Sequence, residues 1–122
     1  MKIVIASDFS GFQLKEVVKN HLINIGYNVT DVGQQKQKDQ ILYFDAASNL
    51  ARAVQSGNYD RGIVICGTGA GVSMIVNKFK DVYCVACERV YTAEKISVIN
   101  NSNVLAMGQK VVSFEVRVQN EE

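Results

Sequence analysis

Proline is absent from the 122-residue chain and histidine occurs once, at His21. Without proline, a low-complexity segment or an internal repeat, nothing marks a linker, so residues 1–122 are expected to form a single domain around one core. An excess of either charge is also lacking. The 13 Lys and Arg against 12 Asp and Glu give a net charge of +1, which removes the electrostatic case for nucleic acid or a membrane surface as a partner. No apolar run is long enough to span a bilayer. Residues 2–6 read as a strand rather than the apolar core of a signal peptide, so a cytoplasmic location is expected. Three cysteines, an odd number, then read as reduced thiols.

What the chain does have is concentrated in residues 63–77, IVICGTGAGVSMIVN. Ile63, Val64 and Ile65 run without polar alternation, as in a strand covered on both faces. Gly67, Gly69 and Gly71 then permit tight turning and close backbone approach, and a helix is expected to begin near Val72. Unpaired backbone amides at such a turn suit an anion and favour a thiolate at Cys66. The loop therefore offers binding and chemistry together.

The rest of the chain alternates strand and helix. Strands are expected at residues 2–6, 27–32, 63–66, 83–87 and 104–107. Helices are expected at about 12–25, 46–55, 72–79 and 92–99, with Ser10 and Gln13 as a capping box and Gly26 as a helix-terminating glycine. Connections too long for hairpins make this an α/β fold with a five-stranded parallel sheet and right-handed crossovers. In such sheets ligands bind beyond the strand carboxyl ends, where Asp8, Cys66 and the loop after Met107 gather. From about residue 109 the tail fits neither period.

With these pieces placed, the chain resembles the family of ribose-5-phosphate isomerase type B and the galactose-6-phosphate isomerase subunits. The likeness is carried by KIVIASD followed by GFQLKE, by Tyr43, by ICGTGAGVSMIVNKF, and by NSNVLAMG followed by VV. The resemblance implies a Rossmann-like three-layer sandwich and aldose–ketose isomerisation of a small phosphorylated sugar through an enediol. Cys66 would be the base, with Thr68 and the amides of Gly67, Gly69, Ala70 and Gly71 holding the enediolate oxygen. It further implies that Asp8 touches sugar hydroxyls or assists ring opening, that Tyr43 and Asn100 bind substrate, and that Lys110 helps hold phosphate. A homodimer or homotetramer, or a hetero-oligomer with a related subunit, is implied as well. No metal or organic cofactor is, because a thiolate and backbone amides suffice for proton transfer between carbons. Two positions where the family usually carries histidine hold Phe9 and Ile99, which points to an altered substrate or to a partner-dependent or non-catalytic subunit.

Each of these residues also has a plainer reading. Cys66 can be a small buried hydrophobe, Asp8 a helix cap, Tyr43 a packing residue, Asn100 and Asn103 turn formers, and Lys110 a solvated charge. Cys84 and Cys87 form a C-x-x-C, but residues three apart in a strand point to opposite faces, and nothing completes a zinc site. A nucleotide-binding domain is the rival α/β reading. Gly67, Gly69 and Gly71 nevertheless give G-x-G-x-G where the dinucleotide fingerprint needs its third glycine one residue later.

Overall fold

The structure, a computed structural model, describes residues 1–87 and 102–109. Its elements run β1 (Lys2–Ser7), a single 3-10 turn (Phe9–Gly11), α1 (Phe12–Asn24), β2 (Asn28–Asp31), α2 (Tyr43–Gln55), β3 (Arg61–Cys66), α3 (Ala70–Val76), β4 (Cys84–Ala86) and β5 (Val104–Gly108). All five strands are parallel, in the order β2-β1-β3-β5-β4. The expected helix over 92–99 and the tail from 110 onward lie outside the described residues. Among the described residues no helix is long and apolar enough to cross a membrane.

The period of two along β1 and β3 builds the two cores. Val4, Ala6, Val64 and Cys66 face α2 and α3, packing with Leu50, Ala51, Val72 and Val76. Ile5 and Ile65 point the other way and meet Leu14 and Val18 of α1. The result is three layers, with α1 on one face and α2 and α3 on the other. Because β1 and β3 are covered on both sides, their sequences read as continuous apolar runs.

Element ends differ from the sequence expectation for local reasons. The Ser10–Gln13 capping box does not form. Asp8 caps instead, its Oδ1 accepting from the amides of Ser10 and Gly11 at 3.0 Å each and from the Ser10 hydroxyl at 2.8 Å. The α1 terminus follows expectation: Gly26 has φ 101°, its amide donates to the Ile23 carbonyl, and that of Tyr27 donates to the Leu22 carbonyl. This is the Schellman arrangement, and it uses glycine for the left-handed residue. The α2 helix starts at Tyr43 rather than Ala46, because Tyr43 and Phe44 are exposed and fall outside the apolar stripe. The α3 helix ends at Val76, where the Asn77 side chain turns to bond both the amide and the carbonyl of Cys84. That bond pair satisfies the start of β4. Asn103 is a turn former, linking the Tyr83 amide and the Asp81 carbonyl.

A charged cluster lies beneath the carboxyl end of β2. Lys15 is fully buried and reaches Asp31 at 2.6 Å, the Gln34 carbonyl at 2.6 Å and Glu16. Lys19 joins Asp31 at 3.0 Å. Burial alone would raise the Asp31 carboxyl, but the Lys15 hydrogen bond, the Gly33 amide and the Lys19 bond outweigh it and leave it below the ordinary range. Glu16 is lowered too, with burial opposed by the same two lysines. A carboxylate depressed on folding stabilises the fold above its unfolded value and loses that contribution as pH falls through the folded one. Asp31→Asn leaves Lys15 with half its counter-charge, and breaking one side of a buried pair costs about 3 kcal/mol. Urea unfolding is expected to show that loss at pH 7, with a flatter decline than the native chain below about pH 4; equal stability at pH 7 would show that the cluster contributes nothing.

Candidate active site

The parallel register sets where chemistry can gather. Ser7 pairs with Ile65, and Cys66 pairs with Gly108, so β1, β3 and β5 finish at one level. From β1 the chain moves to β2 at one edge, whereas from β3 it moves toward β4 at the other. The crevice between the carboxyl ends of β1 and β3 is therefore the switch point where α/β sheets bind ligands. Asp8 and Gly67 are the first residues past those two ends.

Cys66 closes β3 and is 5% exposed. Its side chain shares the apolar cluster of Val64 and Val72, yet its sulfur is not left to apolar neighbours. The Gly69 amide donates to Sγ at 3.1 Å. That bond requires the loop to fold back within three residues, and Gly69 does so with φ 82°, where an L side chain is strained. The strand beside it leaves equally little room. A Cβ on Gly108 would lie 2.3 Å from the Thr68 carbonyl carbon, which is backbone and cannot yield. Thr68 is exposed, and its Oγ1 accepts from the Ala70 amide at 3.3 Å. Of the loop amides, those of Gly67, Thr68 and Gly71 have no acceptor among the described residues.

Tyr43, the first residue of α2, packs against this loop. Its ring lies so close to Gly71 that a Cβ there would sit 3.1 Å from two ring carbons. Asp8 is 4% exposed and serves as the cap already described, with Oδ1 committed to three donors. The structure thus brings together Asp8, Tyr43, Cys66, Gly67, Thr68, Gly69, Ala70 and Gly71. Asn100 and Lys110 lie outside the described residues.

Sequence reasoning missed Gln109. Its backbone amide donates to the Cys66 carbonyl at 2.8 Å, and its Oε1 accepts from the Leu14 amide at 2.9 Å. One residue thereby joins the end of β3 to the first turn of α1. Its only sequence signal is its place just after β5. Gln34 was read as loop but is 1% exposed. Its amide donates to the Ser7 carbonyl, and its side chain accepts from the Ile41 amide, so it fixes the segment that delivers Tyr43.

The other two cysteines behave differently. Burial pushes the Cys84 thiol up to about 11 against a lowering bond from Ser73. Burial pushes Cys87 up to about 12, with the Cys84 charge adding to the rise. Cys87 falls one residue past the end of β4. Both are free and buried.

The family model for ribose/galactose isomerase matches residues 3–120. The chain is similar to a 4-deoxy-4-sulfo-D-erythrose isomerase of Clostridium sp. (strain MSTE9), with 45% identity over 113 residues, 93% of this chain and 71% of that protein. It is also similar to ribose-5-phosphate isomerase B of Escherichia coli (strain K12), with 40% identity over 115 residues, 94% of this chain and 76% of that one. Among solved structures, ribose-5-phosphate isomerase B of Clostridium thermocellum matches with a TM-score of 0.90 at 38% identity, covering 98% of this chain and 80% of that one. A sheet with its switch point at a cysteine–glycine loop, together with a match over nearly the whole length, places the chain in the ribose/galactose isomerase family as an aldose–ketose isomerase.

Proposed function

We propose that the chain isomerises a small sugar carrying a terminal phosphate or a comparable anion, with Cys66 as the base. The observation that carries this reading is the Gly69 amide donated to the Cys66 sulfur at 3.1 Å, at the level where the strands end. An amide donor stabilises the ionised sulfur, which is the form that takes a proton. In the forward direction the thiolate removes the proton from C2 of the aldose. The C–H electron pair becomes the C1–C2 double bond, and the carbonyl pair moves onto O1. O1 takes up the proton that O2 gives up, the O2–H pair forms the C2 carbonyl, and the C1–C2 double-bond pair takes the proton back from the thiol at C1, so C1 is reduced, C2 is oxidised, and no external oxidant is consumed.

The remaining residues fit supporting roles. The amides of Gly67, Thr68 and Gly71 and the Thr68 hydroxyl proton face the charge that develops on oxygen, the most effective use of fixed donors. The second oxygen of Asp8 and the Tyr43 ring address the sugar chain, with Asn100 and Lys110 as further substrate contacts. The similar proteins named above act, by their names, on a pentose phosphate and on a sulfonated tetrose, and both fit a short chain with an anionic end. Phe9, Leu42, Tyr43 and Phe44 are all about half exposed, and the Phe9 amide bonds the Ile41 carbonyl. This apolar rim beside the site favours a homodimer, or assembly with a related subunit, that covers it.

Cys66→Ala and Cys66→Ser are expected to lower kcat by roughly 10²–10⁴, the usual worth of a general base, with thermal unfolding little changed. Full activity of the alanine variant would remove the assignment. Tyr43→Ala and Gly71→Ala are each expected to raise KM. The double variant should show less than the sum, because both act through one contact; unchanged KM values would take Tyr43 out of the substrate site.

A further inference from the structure

The chain between β2 and α2, residues 32–42, has no regular structure, yet it decides where Tyr43 stands. It begins pressed onto β1. The Val32 amide donates to the Ile5 carbonyl at 2.9 Å and the Gln34 amide to the Ser7 carbonyl at 3.0 Å, and a Cβ on Gly33 would lie 2.4 Å from the Ser7 nitrogen. Residues 35–38 and 40 then loop out into solvent. The chain returns at Ile41, where Gln34 Oε1 accepts the Ile41 amide at 3.2 Å and the Ile41 carbonyl accepts the Phe9 amide at 3.0 Å. Residues 34 and 41 thus close the loop at a neck, and the neck is bonded to the turn that Asp8 caps.

Two observations make Gln34 more than a packing residue. The start of α2 has no side-chain cap, since Leu42 bonds none of the first helical amides. Ile41, two residues earlier, is therefore the nearest fixed point for the half-exposed Tyr43 ring. The second observation is Lys15. An ammonium carries three protons; two go to Glu16 and Asp31, which balance its charge, and the third goes to the Gln34 carbonyl at 2.6 Å. A fully buried cation on α1 thereby grips the main chain at the neck.

We propose that Gln34, anchored by Lys15, is a positioning residue for substrate binding: it holds Ile41, and through it the Tyr43 ring, against the glycine loop. The inference rests on the substrate role proposed for Tyr43 above. Gln34 acts through Tyr43 and on no reacting atom, so its loss should weaken binding and leave proton transfer as it is.

The test is steady-state kinetics of the full chain on D-ribose 5-phosphate and D-erythrulose 4-phosphate, taking the sugar that the native chain turns over faster. Gln34→Met keeps the size of the side chain and removes the acceptor. It should raise KM about three- to tenfold, the worth of one hydrogen bond, with kcat within about twofold of native. Gln34→Glu keeps an oxygen for the Ile41 amide and should hold KM within about twofold of native. In a Tyr43→Ala background, Gln34→Met should raise KM no further, because both act through one ring. Should Gln34→Met not fold, Gln34→Asn, one methylene shorter, carries the same expectations. Native KM in the variant that lacks the bond, a fall in kcat with KM unchanged, or a KM rise that persists without the Tyr43 ring would overturn the inference. Native KM in Tyr43→Ala would remove the substrate role of Tyr43, and turnover of neither sugar would remove the isomerase reading, each taking the inference with it.

Discussion

One hydrogen bond organises the crevice: the Gly69 amide on the Cys66 sulfur. For it to form, the chain must leave β3 and reverse within three residues, which only a residue tolerant of positive φ allows. The reversal presses the loop onto the end of β5, where Gly108 leaves just enough space for the Thr68 backbone. Gln109 then fastens the Cys66 carbonyl and the start of α1 together. The sulfur is thus positioned by the backbone of its own loop and of the residue after β5, with the Gln109 side chain tying that residue to α1.

The three cysteines show what that environment does. Cys84 and Cys87 are buried with little or no donor support, and desolvation drives their thiols up to about 11 and about 12. Cys66 is as buried as they are but has an amide directed at its sulfur. The end of β3 thus gives its buried sulfur a backbone donor. The same end of the sheet carries Asp8 and the half-exposed aromatic rings of Phe9 and Tyr43.

Much of this was legible in the sequence. The unalternating run Ile63–Ile65 and the glycines after it gave the strand and the loop, because a doubly covered strand and a tight reversal each demand a narrow set of residues. The parallel sheet followed from spacing. The sequence was silent where function depends on side chains that reach across it. Gln109 contacts Leu14 from 95 residues away, and Lys15, of a residue type that ordinarily faces water, enters a buried ion cluster from the inner face of α1. The start of α2 was misplaced because Tyr43 and Phe44 face outward and so break the apolar period. Asp8 capping replaced the Ser10–Gln13 box because the chain makes a 3-10 turn before α1, which periodicity does not register.

The central claim is that the Cys66 sulfur moves the proton, and alkylation tests it most directly. The native chain would be treated at pH 7 with a small iodoacetamide, each cysteine mapped by mass spectrometry, and residual isomerase activity measured against the extent of modification. Activity should fall in step with modification of Cys66, with substrate slowing both and with Cys84 and Cys87 unmodified. Turnover that persists with Cys66 fully alkylated would contradict the account.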